Sequence, residues 1–329
     1  MDTLETLTQQ IMDGHQVTRE EALWLSKQPL EHLCRQADRI RRHFCKNTFD
    51  LCTIINGKSG RCSENCKFCA QSAHNHTDAD TYPLLSKEEI LADAKKQAAQ
   101  GVLRYSIVTA GKALSDEEID LMCDAIRQIR QETTLSVCIS FGLLTESQFR
   151  RLKEAGVSRV HNNLETSERH FPNICTTHTF ADKVSAIQAA QQAGLTVCSG
   201  GIMGMGETIA DRIDMALALR GLGITSVPVN VLNPIPGTPF GEYPTLSEAE
   251  VLGILALYRF LLPAASIRMA GGRGLLPDGG KSCFLSGANA AITGDMLTTA
   301  GITVQTDLQM LTELGYEVKL DETTDDHRH

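Results

Sequence analysis

The segment RYSIVTAGKALSDEEIDLMCDAIRQIRQETTLSVCIS, residues 104–140, contains the structural unit that decides the fold. An apolar, β-rich run at 104–109 is followed by an amphipathic stretch that begins at Ser115 with acidic residues, and a second β-rich run follows at 135–140. A serine followed by acids is typical of a helix N-terminus. The segment therefore predicts a strand, a helix and a second strand, the unit from which parallel sheets are built.

The same unit recurs along the whole chain. Segments of helical period alternate with apolar β-rich runs near 51–56, 104–109, 135–140, 159–164, 196–202, 226–231, 266–270 and 290–293. Several helical segments end at glycine, the expected C-terminal cap. We predict the α/β class and a (β/α)8 TIM-type barrel, whose active site forms at the C-terminal ends of the strands.

The domain organisation follows from length and composition. A chain of 329 residues with 42% hydrophobic content can form one large core. We predict an N-terminal helical extension at 1–46 and the barrel at 47–319. The acidic, histidine-bearing segment 320–329 is interpreted as a disordered tail without function.

Charge and cysteine content narrow the function classes. The net charge of −9 disfavours nucleic acid and an anionic membrane surface as partners, because both would repel the average surface. The sequence shows neither a secretory leader nor an apolar run of roughly 20 residues that would span a bilayer, so we expect a cytoplasmic enzyme with a small-molecule substrate. Eleven cysteines in a reducing compartment favour metal ligation or catalysis over disulfides.

Three cysteines, Cys62, Cys66 and Cys69, lie within eight residues on a loop after the first predicted strand. Thiolates at this spacing can ligate three irons of a 4Fe–4S cluster and leave the fourth iron open. A structural zinc site would need a fourth ligand, which His74 or His76 could supply. The spacing favours the iron–sulfur cluster.

This CxxxCxxC motif resembles that of the radical S-adenosylmethionine (SAM) superfamily. The resemblance implies that the open iron binds SAM and that the reduced cluster cleaves it to methionine and a 5′-deoxyadenosyl radical. Phe68 matches the aromatic position that packs near the adenine in this superfamily. The residue alone is equally compatible with an apolar loop anchor.

Later segments resemble the biotin synthase family. The similarity runs from about Cys62 to Thr299, and it is carried by RCSENCKFCAQSA, RVHNNLETS, NICTTHTF, TVCSGGIMGMGET, SVPVNVLNPIPGTP, SIRMAGGR and CFLSGANAAITGDMLTT. The resemblance implies a sulfurtransferase that converts dethiobiotin to biotin. In it, deoxyadenosyl radicals abstract hydrogen from two carbons, and a second, auxiliary iron–sulfur cluster donates the sulfur.

The resemblance assigns Cys138, Cys198 and Arg268 to the auxiliary cluster. Each cysteine alone is more often a small buried hydrophobe, whereas an arginine in an apolar barrel strand is costly unless it is paired or ligating. The remaining cysteines are interpreted as structural thiols, and these are Cys34, Cys45, Cys52, Cys123 and Cys283.

One departure from the family pattern affects the auxiliary site. Ser106 stands where the family has a third cysteine, and a serine oxygen is a weaker partner for iron than a thiolate. Cys175 stands where the family pattern is aliphatic, on a loop expected at the barrel mouth. We predict that Cys138, Cys175 and Cys198 hold a four-iron auxiliary cluster in place of the usual 2Fe–2S cluster. The alternative is a packed Cys175 and a vacant site.

The resemblance also assigns contacts to SAM and to substrate. Predicted SAM contacts are Asn163 and Glu165 to the ribose, Lys183 to the carboxylate, Thr109 to the amine, and Gly204 with Glu207 near the adenine. His161 and Asn230 are predicted to meet dethiobiotin, or else to be satisfied core polar groups. Arg104 and Arg273 could support the auxiliary site or close the barrel through ion pairs.

The resemblance further implies partners and rivals. Expected partners are an electron donor such as flavodoxin or ferredoxin, iron–sulfur assembly proteins and a second copy of the chain in a homodimer. One rival function is another radical SAM barrel, such as a hydrogenase cofactor maturase or a methylornithine-type mutase. A second is a non-catalytic iron–sulfur or zinc carrier, which would not need the SAM-contact motifs.

Overall fold

A closed parallel barrel forms the centre of the computed structural model, which describes residues 3–320. Its strands are β1 (Thr48–Lys58), β2 (Arg104–Thr109), β3 (Ser136–Ser140), β4 (Val157–His161), β5 (Thr196–Cys198), β6 (Gly201–Met203), β7 (Ser226–Val231), β8 (Ser266–Met269) and β9 (Ala290–Ile292). Both β5 and β6 pair with β7 and together form one strand position, and β9 closes the barrel by pairing with β1. The predicted (β/α)8 barrel is confirmed.

Helices connect the strands and cover the outside of the barrel. They are α1 (Leu4–Met12), α2 (Arg19–Leu25), α3 (Leu30–Cys45), α4 (Lys87–Ala99), α5 (Asp116–Glu132), α6 (Glu146–Ala155), α7 (Phe180–Gln192), α8 (Ile209–Gly221), α9 (Glu248–Leu261), α10 (Lys281–Phe284) and α11 (Val304–Glu313). The helices α4 to α9 each begin at a serine or threonine in a reciprocal capping box, which satisfies backbone donors at the helix start. These caps are the start signals visible in the sequence.

The chain segments outside the barrel pack against it. Helix α3 buries Leu33, Ala37 and Ile40 and packs on α9, and α1 packs on α3. After the last barrel strand, α11 leads into β10 (Glu317–Val318), which pairs with the start of β1. The predicted division at residue 46 falls between α3 and β1, and most of the predicted tail, 321–329, lies outside the described residues.

Alternation along the strands decides which side chains face the interior. Side chains two residues apart in a strand point to the same face. In β1 this places Asp50, Cys52 and Ile54 on one face, and the last two line the interior cavity. Within residues 3–320, no helix combines the length and apolar character that crossing a membrane requires.

Candidate active site

A cavity of about 360 Å³ lies inside the barrel. Residues predicted for the site that line it are Phe68, Cys69, Ser106, Cys138, His161, Asn163, Glu165, Cys198, Asn230 and Arg268. Other predicted residues lie outside its lining, and these are Cys62, Cys66, Thr109, Cys175, Lys183, Gly204 and Glu207. Cys52, Arg104 and Arg159 also line the cavity. We call the end at the cysteine loop, residues 62–69, the mouth, and the end at Asp50 the floor.

The cysteine loop is held by its own backbone. Cys62 donates its N–H to the Gln71 carbonyl oxygen at 2.9 Å, and the Cys69 N–H reaches the Cys66 carbonyl oxygen at 3.1 Å. The Asn75 amide donates to the carbonyl oxygens of Cys66 at 3.2 Å and Cys69 at 2.8 Å. The turn is therefore fixed independently of any ligand.

The three thiols of the loop interact electrostatically, Cys66 with Cys69 and Cys69 with Cys62. All three are half-buried, and burial together with the nearby charge of Cys62 raises the pKa of Cys69 to about 11. Bound iron would supply the positive charge that such crowded thiolates require, so the donor set fits a 4Fe–4S cluster. The imidazole Nε2 of His74, considered above as a zinc ligand, contacts the Ser63 carbonyl oxygen at 3.0 Å.

Cys175, predicted above as a ligand of the auxiliary cluster, lies beside the cysteine loop and outside the lining of the cavity. Its thiol lies 3.4 Å from Asn65 Oδ1 and shares a hydrogen bond with Cys66. The loop that follows β4 crosses the cysteine loop, where the Lys67 N–H donates to the Ile174 carbonyl oxygen at 2.9 Å. The structure therefore does not bring Cys175 together with Cys138 and Cys198, because those two thiols project inward from strands.

His178 and Glu64 complete the surroundings of Cys175, and neither was predicted from the sequence. His178 Nδ1 lies 3.4 Å from the Cys175 thiol and 2.5 Å from Glu64 Oε2. Burial lowers the pKa of His178, but its hydrogen bonds to Cys175 and Glu64 outweigh burial and raise it. The ligand atoms of Cys66, Cys175 and His178 lie within 4.8 Å of one another, so metal-ligating groups concentrate at the mouth.

Asn163 and Glu165 lie together where β4 enters the mouth. The Asn163 amide oxygen accepts the Gly200 N–H at 3.0 Å, and its nitrogen donates to Glu165 Oε2 at 3.3 Å. Burial raises the pKa of Glu165 although the charge of Lys183 opposes it. Glu165 has a φ of +69°, a left-handed conformation rare for a side chain of this size, and such strain is typical of functional sites.

Gly200 and Gly201 allow the neighbouring backbones to approach. A Cβ at Gly200 would lie 1.9 Å from the Pro228 carbonyl oxygen, and one at Gly201 would lie 2.3 Å from the Glu165 carbonyl oxygen. Any larger residue would therefore push the segment 200–201 away from β7 or from the loop at Glu165. The two glycines of the SGG sequence therefore allow the backbone at Glu165 to lie close to the start of β6.

Glu207 and Gly204 belong to a turn after β6. The Glu207 carboxylate accepts the N–H groups of Gly204 at 2.9 Å and Met205 at 2.7 Å, and Arg212 donates to it at 2.7 Å. The carboxylate is thus occupied by its own chain, and its structural effect is to hold this turn.

Lys183 and Thr109 lie close to the mouth without lining the cavity. Lys183 Nζ donates to Asn162 Oδ1 at 3.4 Å, and its charge acts on Glu165. Thr109 is buried at the C-terminal end of β2. Both positions agree with a role at the SAM side of the site, and that role stays a prediction.

At the floor, Asp50 lies among three arginines. Its carboxylate is 3.1 Å from Arg104 Nη2, 3.0 Å from Arg268 Nη2 and 3.7 Å from Arg159 Nη1. Burial raises the pKa of Asp50, but the three guanidinium groups hold it far below its ordinary value. Asp50 and Arg159 were not predicted from the sequence, although a charged residue in an apolar strand was the signal that singled out Arg268.

Three thiols lie at the floor. Cys52, Cys138 and Cys198 are only 5%, 4% and 5% exposed. Burial raises the pKa of Cys52 to about 11 and that of Cys138 to about 12. Burial acts on Cys198 too, but a hydrogen bond from His161 and nearby positive charges outweigh it, and the pKa falls to about 6. Cys52, interpreted above as a structural thiol, is therefore part of the cavity.

Arg268 lines this cavity, and one of its nitrogens makes no hydrogen bond within the described residues. Its Nη1 donates to the carbonyl oxygens of Asp50 at 3.1 Å and Ala291 at 3.0 Å. Its buried Nη2 pairs with Asp50 electrostatically but makes no hydrogen bond within residues 3–320. A buried donor of this kind favours an anionic partner. Three thiols and an available guanidinium nitrogen fit an iron–sulfur cluster.

The other polar candidates have their own contacts. Asn230 donates to the Gly201 carbonyl oxygen at 3.1 Å and accepts the Gly271 N–H at 2.9 Å, so its amide joins neighbouring segments of the barrel. Arg273 forms an ion pair with Asp307 at 2.6 Å and does not line the cavity. Of the two readings of Arg273 considered above, the ion pair is the one present.

Comparisons with known proteins define the class first. Residues 28–219 match the radical SAM superfamily, and residues 228–317 match the Biotin and Thiamin Synthesis associated domain. The crystal structure of a methylornithine synthase superposes with a TM-score of 0.84 at 21% identity, covering 95% of this chain and 97% of that chain. Because identity is so low, this likeness shows the barrel fold alone. The superfamily match, with the barrel and the cysteine loop, makes this chain a radical SAM enzyme.

Relatives of higher identity define the family. Biotin synthase of Brachyspira hyodysenteriae is 59% identical over 320 residues, which is 97% of this chain and 96% of the relative. Biotin synthase of Akkermansia muciniphila is 56% identical, covering 97% of this chain and 100% of the relative. The chain belongs to the biotin synthase family. The predicted family and enzyme class, a radical SAM sulfurtransferase, are confirmed.

Proposed function

We propose that this chain inserts sulfur into dethiobiotin to form biotin, and that its two cysteine groups act from opposite ends of one cavity. The observation that carries the proposal is the continuity of that cavity, which is lined by Cys69 and Glu165 at the mouth and by Cys138 and Cys198 at the floor. A substrate between them is reached from both sides. Its volume of about 360 Å³ lies in the range of small-molecule sites.

When bound, SAM on a 4Fe–4S cluster at the mouth supplies a 5′-deoxyadenosyl radical, and an auxiliary cluster at the floor supplies the sulfur atom. The thiolates of Cys62, Cys66 and Cys69 would hold the first cluster. The hydrogen bonds within the loop position these thiolates before any ligand binds. Such preorganisation lowers the cost of assembling the site.

Residues at the mouth orient SAM in this proposal. Glu165 and Asn163 accept hydrogen bonds from the ribose hydroxyls, and Lys183 pairs with the carboxylate as a point charge. Phe68 packs beside the adenine from an apolar cluster that includes Phe171 and Met205. Glu207 acts indirectly, because its carboxylate holds the turn at Gly204.

Residues at the floor hold the auxiliary cluster. Cys138, Cys198 and Arg268 face the cavity, and Asp50 fixes the guanidinium of Arg268 from below. Ser106 also lines the cavity, but its hydroxyl oxygen is a hard ligand for iron. This substitution supports a four-iron auxiliary cluster over the 2Fe–2S type.

The substrate chamber lies between the two levels. Its wall includes the aliphatic side chains of Ile54, Val108 and Ile292, which exclude water from unactivated carbons. His161 contributes a polar group that lines the cavity and hydrogen-bonds with Cys198. Asn230 shapes the chamber through its bonds to Gly201 and Gly271, which leave one amide N–H and one oxygen lone pair for the substrate.

The cellular setting extends the proposal. The enzyme works in the cytoplasm as a homodimer, takes electrons from a flavodoxin or ferredoxin and receives its clusters from iron–sulfur assembly proteins. The family resemblance and the eleven cysteines, which suit a reducing compartment, support this setting.

Anaerobic turnover tests the function. The cluster-loaded protein is incubated with SAM, a strong reductant and dethiobiotin, and 5′-deoxyadenosine and biotin are measured. We expect both products from the native chain and neither from a Cys62→Ala variant. A matched Cys123→Ala variant, altered at a buried thiol of α5, is expected to keep both activities.

The rival functions predict different outcomes. Cleavage of SAM without biotin formation would move the chain to another radical SAM activity, such as a mutase or a cofactor maturase. Absence of 5′-deoxyadenosine from protein with an intact iron–sulfur spectrum would favour a non-catalytic carrier. The barrel does not decide between these functions, because a methylornithine synthase shares it.

A further inference from the structure

The register of the barrel strands defines which inward side chains share a layer. In an eight-stranded barrel, each layer takes four side chains from alternate strands. Following the pairing from Cys52 leads to Arg104 on β2 and then to Ser136 on β3. Because the strands are tilted, the layer moves one residue toward the C-terminal end with each strand crossed. From β1 to β3 this amounts to two residues beyond Ser136, which places Cys138 at the level of Cys52.

The same count closes around the barrel. Cys138 pairs with Arg159 and then with Thr196, so Cys198 is the next member of the layer. Cys198 pairs with Ser226 and then with Ser266, so Arg268 follows. Arg268 pairs with Ala290 and then with Asp50, which returns the layer to Cys52. One layer therefore consists of Cys52, Cys138, Cys198 and Arg268, the set that we call the floor layer.

Ser106 and Cys175 stand outside this layer. Ser106 pairs with Cys138 and belongs to an adjacent strand, one half-step nearer the mouth. Cys175 lies beside Cys66 on the loop after β4. Asp50 occupies the next layer down on β1 and pairs with Arg268. The floor layer thus contains the thiols that line the lower cavity within the described residues.

We propose that Cys52 is the third thiolate ligand of the auxiliary cluster, together with Cys138 and Cys198, and that Arg268 completes the layer. The inference rests on the proposed function, which calls for an auxiliary cluster at the floor. Cys52 supplies the thiolate that Ser106 does not, from the neighbouring strand β1 and from the same inward face of the barrel. Thiolates are the ligands that iron–sulfur clusters require, and three of them hold three irons of a four-iron cluster.

The alternative role for Cys52 is that of a small buried hydrophobe. Its thiol donates to the Thr53 carbonyl oxygen at 3.3 Å, a local contact that any inward cysteine in a strand can make. Cys123 is an example of a buried structural cysteine in this chain. It lies on α5 and donates to the Arg151 carbonyl oxygen at 3.7 Å. Unlike Cys52, it faces no cavity shared with other thiols.

Iron analysis in a background without the first cluster tests the assignment. Cys62, Cys66 and Cys69 are all replaced by alanine, so that iron and sulfide taken up by anaerobic reconstitution report the floor alone. Into this background we introduce Cys52→Ser, Cys138→Ser, Cys175→Ser or Cys123→Ser. Serine keeps the size of each side chain, and circular dichroism with thermal melting checks that each variant is folded.

We expect Cys52→Ser to lose iron and sulfide to the same extent as Cys138→Ser, and to lose or alter the Mössbauer signal of the floor cluster. Cys175→Ser and Cys123→Ser are expected to match the background. Retention of iron and an unchanged Mössbauer spectrum in folded Cys52→Ser would overturn the proposal. Loss of iron in Cys175→Ser with retention in Cys52→Ser would restore the ligand set first predicted from the sequence.

This test is separate from the test of the function. A native chain that holds the floor cluster through Cys52 but forms no biotin would contradict the proposed function and leave the ligand assignment intact. If the native chain forms biotin but the Cys52→Ser variant keeps its floor cluster, only the ligand assignment is contradicted.

Discussion

The mouth and the floor of the barrel both gather cysteines, but they do so by different means. At the mouth, Cys62, Cys66 and Cys69 lie within eight residues of one loop and are half-buried. At the floor, Cys52, Cys138 and Cys198 come from separate strands, and each is at most 5% exposed. The first group depends on a local turn, and the second depends on the whole barrel. A change in strand register would therefore disperse the floor and leave the mouth intact.

The two regions also differ in their charges. The floor places Asp50 among Arg104, Arg159 and Arg268, all of them almost fully buried. At the mouth, hydrogen bonds from backbone and amide groups hold the cysteine loop, and the charged contact beside it, among the described residues, is the single pair of His178 with Glu64. We infer that the floor contributes to folding stability as well as to chemistry, whereas the mouth contributes mainly to binding.

The largest expected effect comes from the mouth ligands. Replacing Cys62 with alanine should abolish 5′-deoxyadenosine formation, because the first cluster loses one of its three thiolates. The floor cluster should persist, since none of its proposed ligands is changed. Product analysis by chromatography, combined with iron counting, checks both statements. Substantial 5′-deoxyadenosine formation by this variant would contradict the assignment of SAM cleavage to the mouth.

Next in size is the effect of Asp50 on folding. Asp50→Asn removes the carboxylate from three buried guanidinium groups, and breaking a buried charge pair typically costs about 3–5 kcal/mol. Urea denaturation of the cluster-free protein under reducing conditions should show a loss of that order. The matched control is Asp214→Asn, which breaks an exposed pair with Arg19 and should cost no more than about 1 kcal/mol. Equal losses in the two variants would remove the contrast between floor and surface.

Asp211 is a buried carboxylate near the mouth, and we expect its replacement to affect stability less than the replacement of Asp50. It accepts the Ser167 hydroxyl at 2.6 Å, so it anchors the loop that carries Glu165, and it pairs with Arg169, which is 66% exposed. Burial raises the pKa of Asp211, but these partners and Thr208 lower it below its ordinary value. The ionised form therefore stabilises the fold above the unfolded pKa of about 3.9, and this contribution is lost as the pH falls through the lowered pKa.

We expect Asp211→Asn to lower the free energy of unfolding by about 1–3 kcal/mol at neutral pH, the usual cost of disturbing a buried hydrogen-bonded group. The difference from the native chain should shrink as the pH falls below about 4, because the unfolded chain then takes up a proton at Asp211 while the native carboxylate, with its lowered pKa, stays ionised. Urea denaturation across a pH series measures it. A difference that stays constant with pH would show that the carboxylate charge is not involved.

Residues that act locally could be predicted from the sequence, and residues that depend on register could not. The β/α alternation and the Ser or Thr caps predicted the barrel because each signal lies within one element, and the spacing of Cys62, Cys66 and Cys69 predicted the mouth for the same reason. The place of Cys52 in the cavity was not predicted, because it depends on which residues two strands away lie at the same level of the barrel. The contact of Cys175 with Cys66 was not predicted, because strand order does not specify how the loop after β4 crosses the mouth.

The smallest expected effect is that of Glu165 on SAM binding. Glu165→Gln keeps the shape of the side chain but replaces one charged acceptor oxygen with an amide nitrogen, which cannot accept a ribose hydroxyl. We expect SAM to bind roughly tenfold more weakly to the cluster-loaded protein, which corresponds to about 1.4 kcal/mol. Equilibrium dialysis with labelled SAM measures this, and Glu168→Gln, an exposed acid on the same loop, is the matched control. Floor iron should be unchanged in both variants. The opposite result would be a Glu165→Gln variant that binds SAM like the native chain but loses floor iron. Glu165 would then act on the auxiliary cluster, and the floor would extend further toward the mouth than we have assigned it.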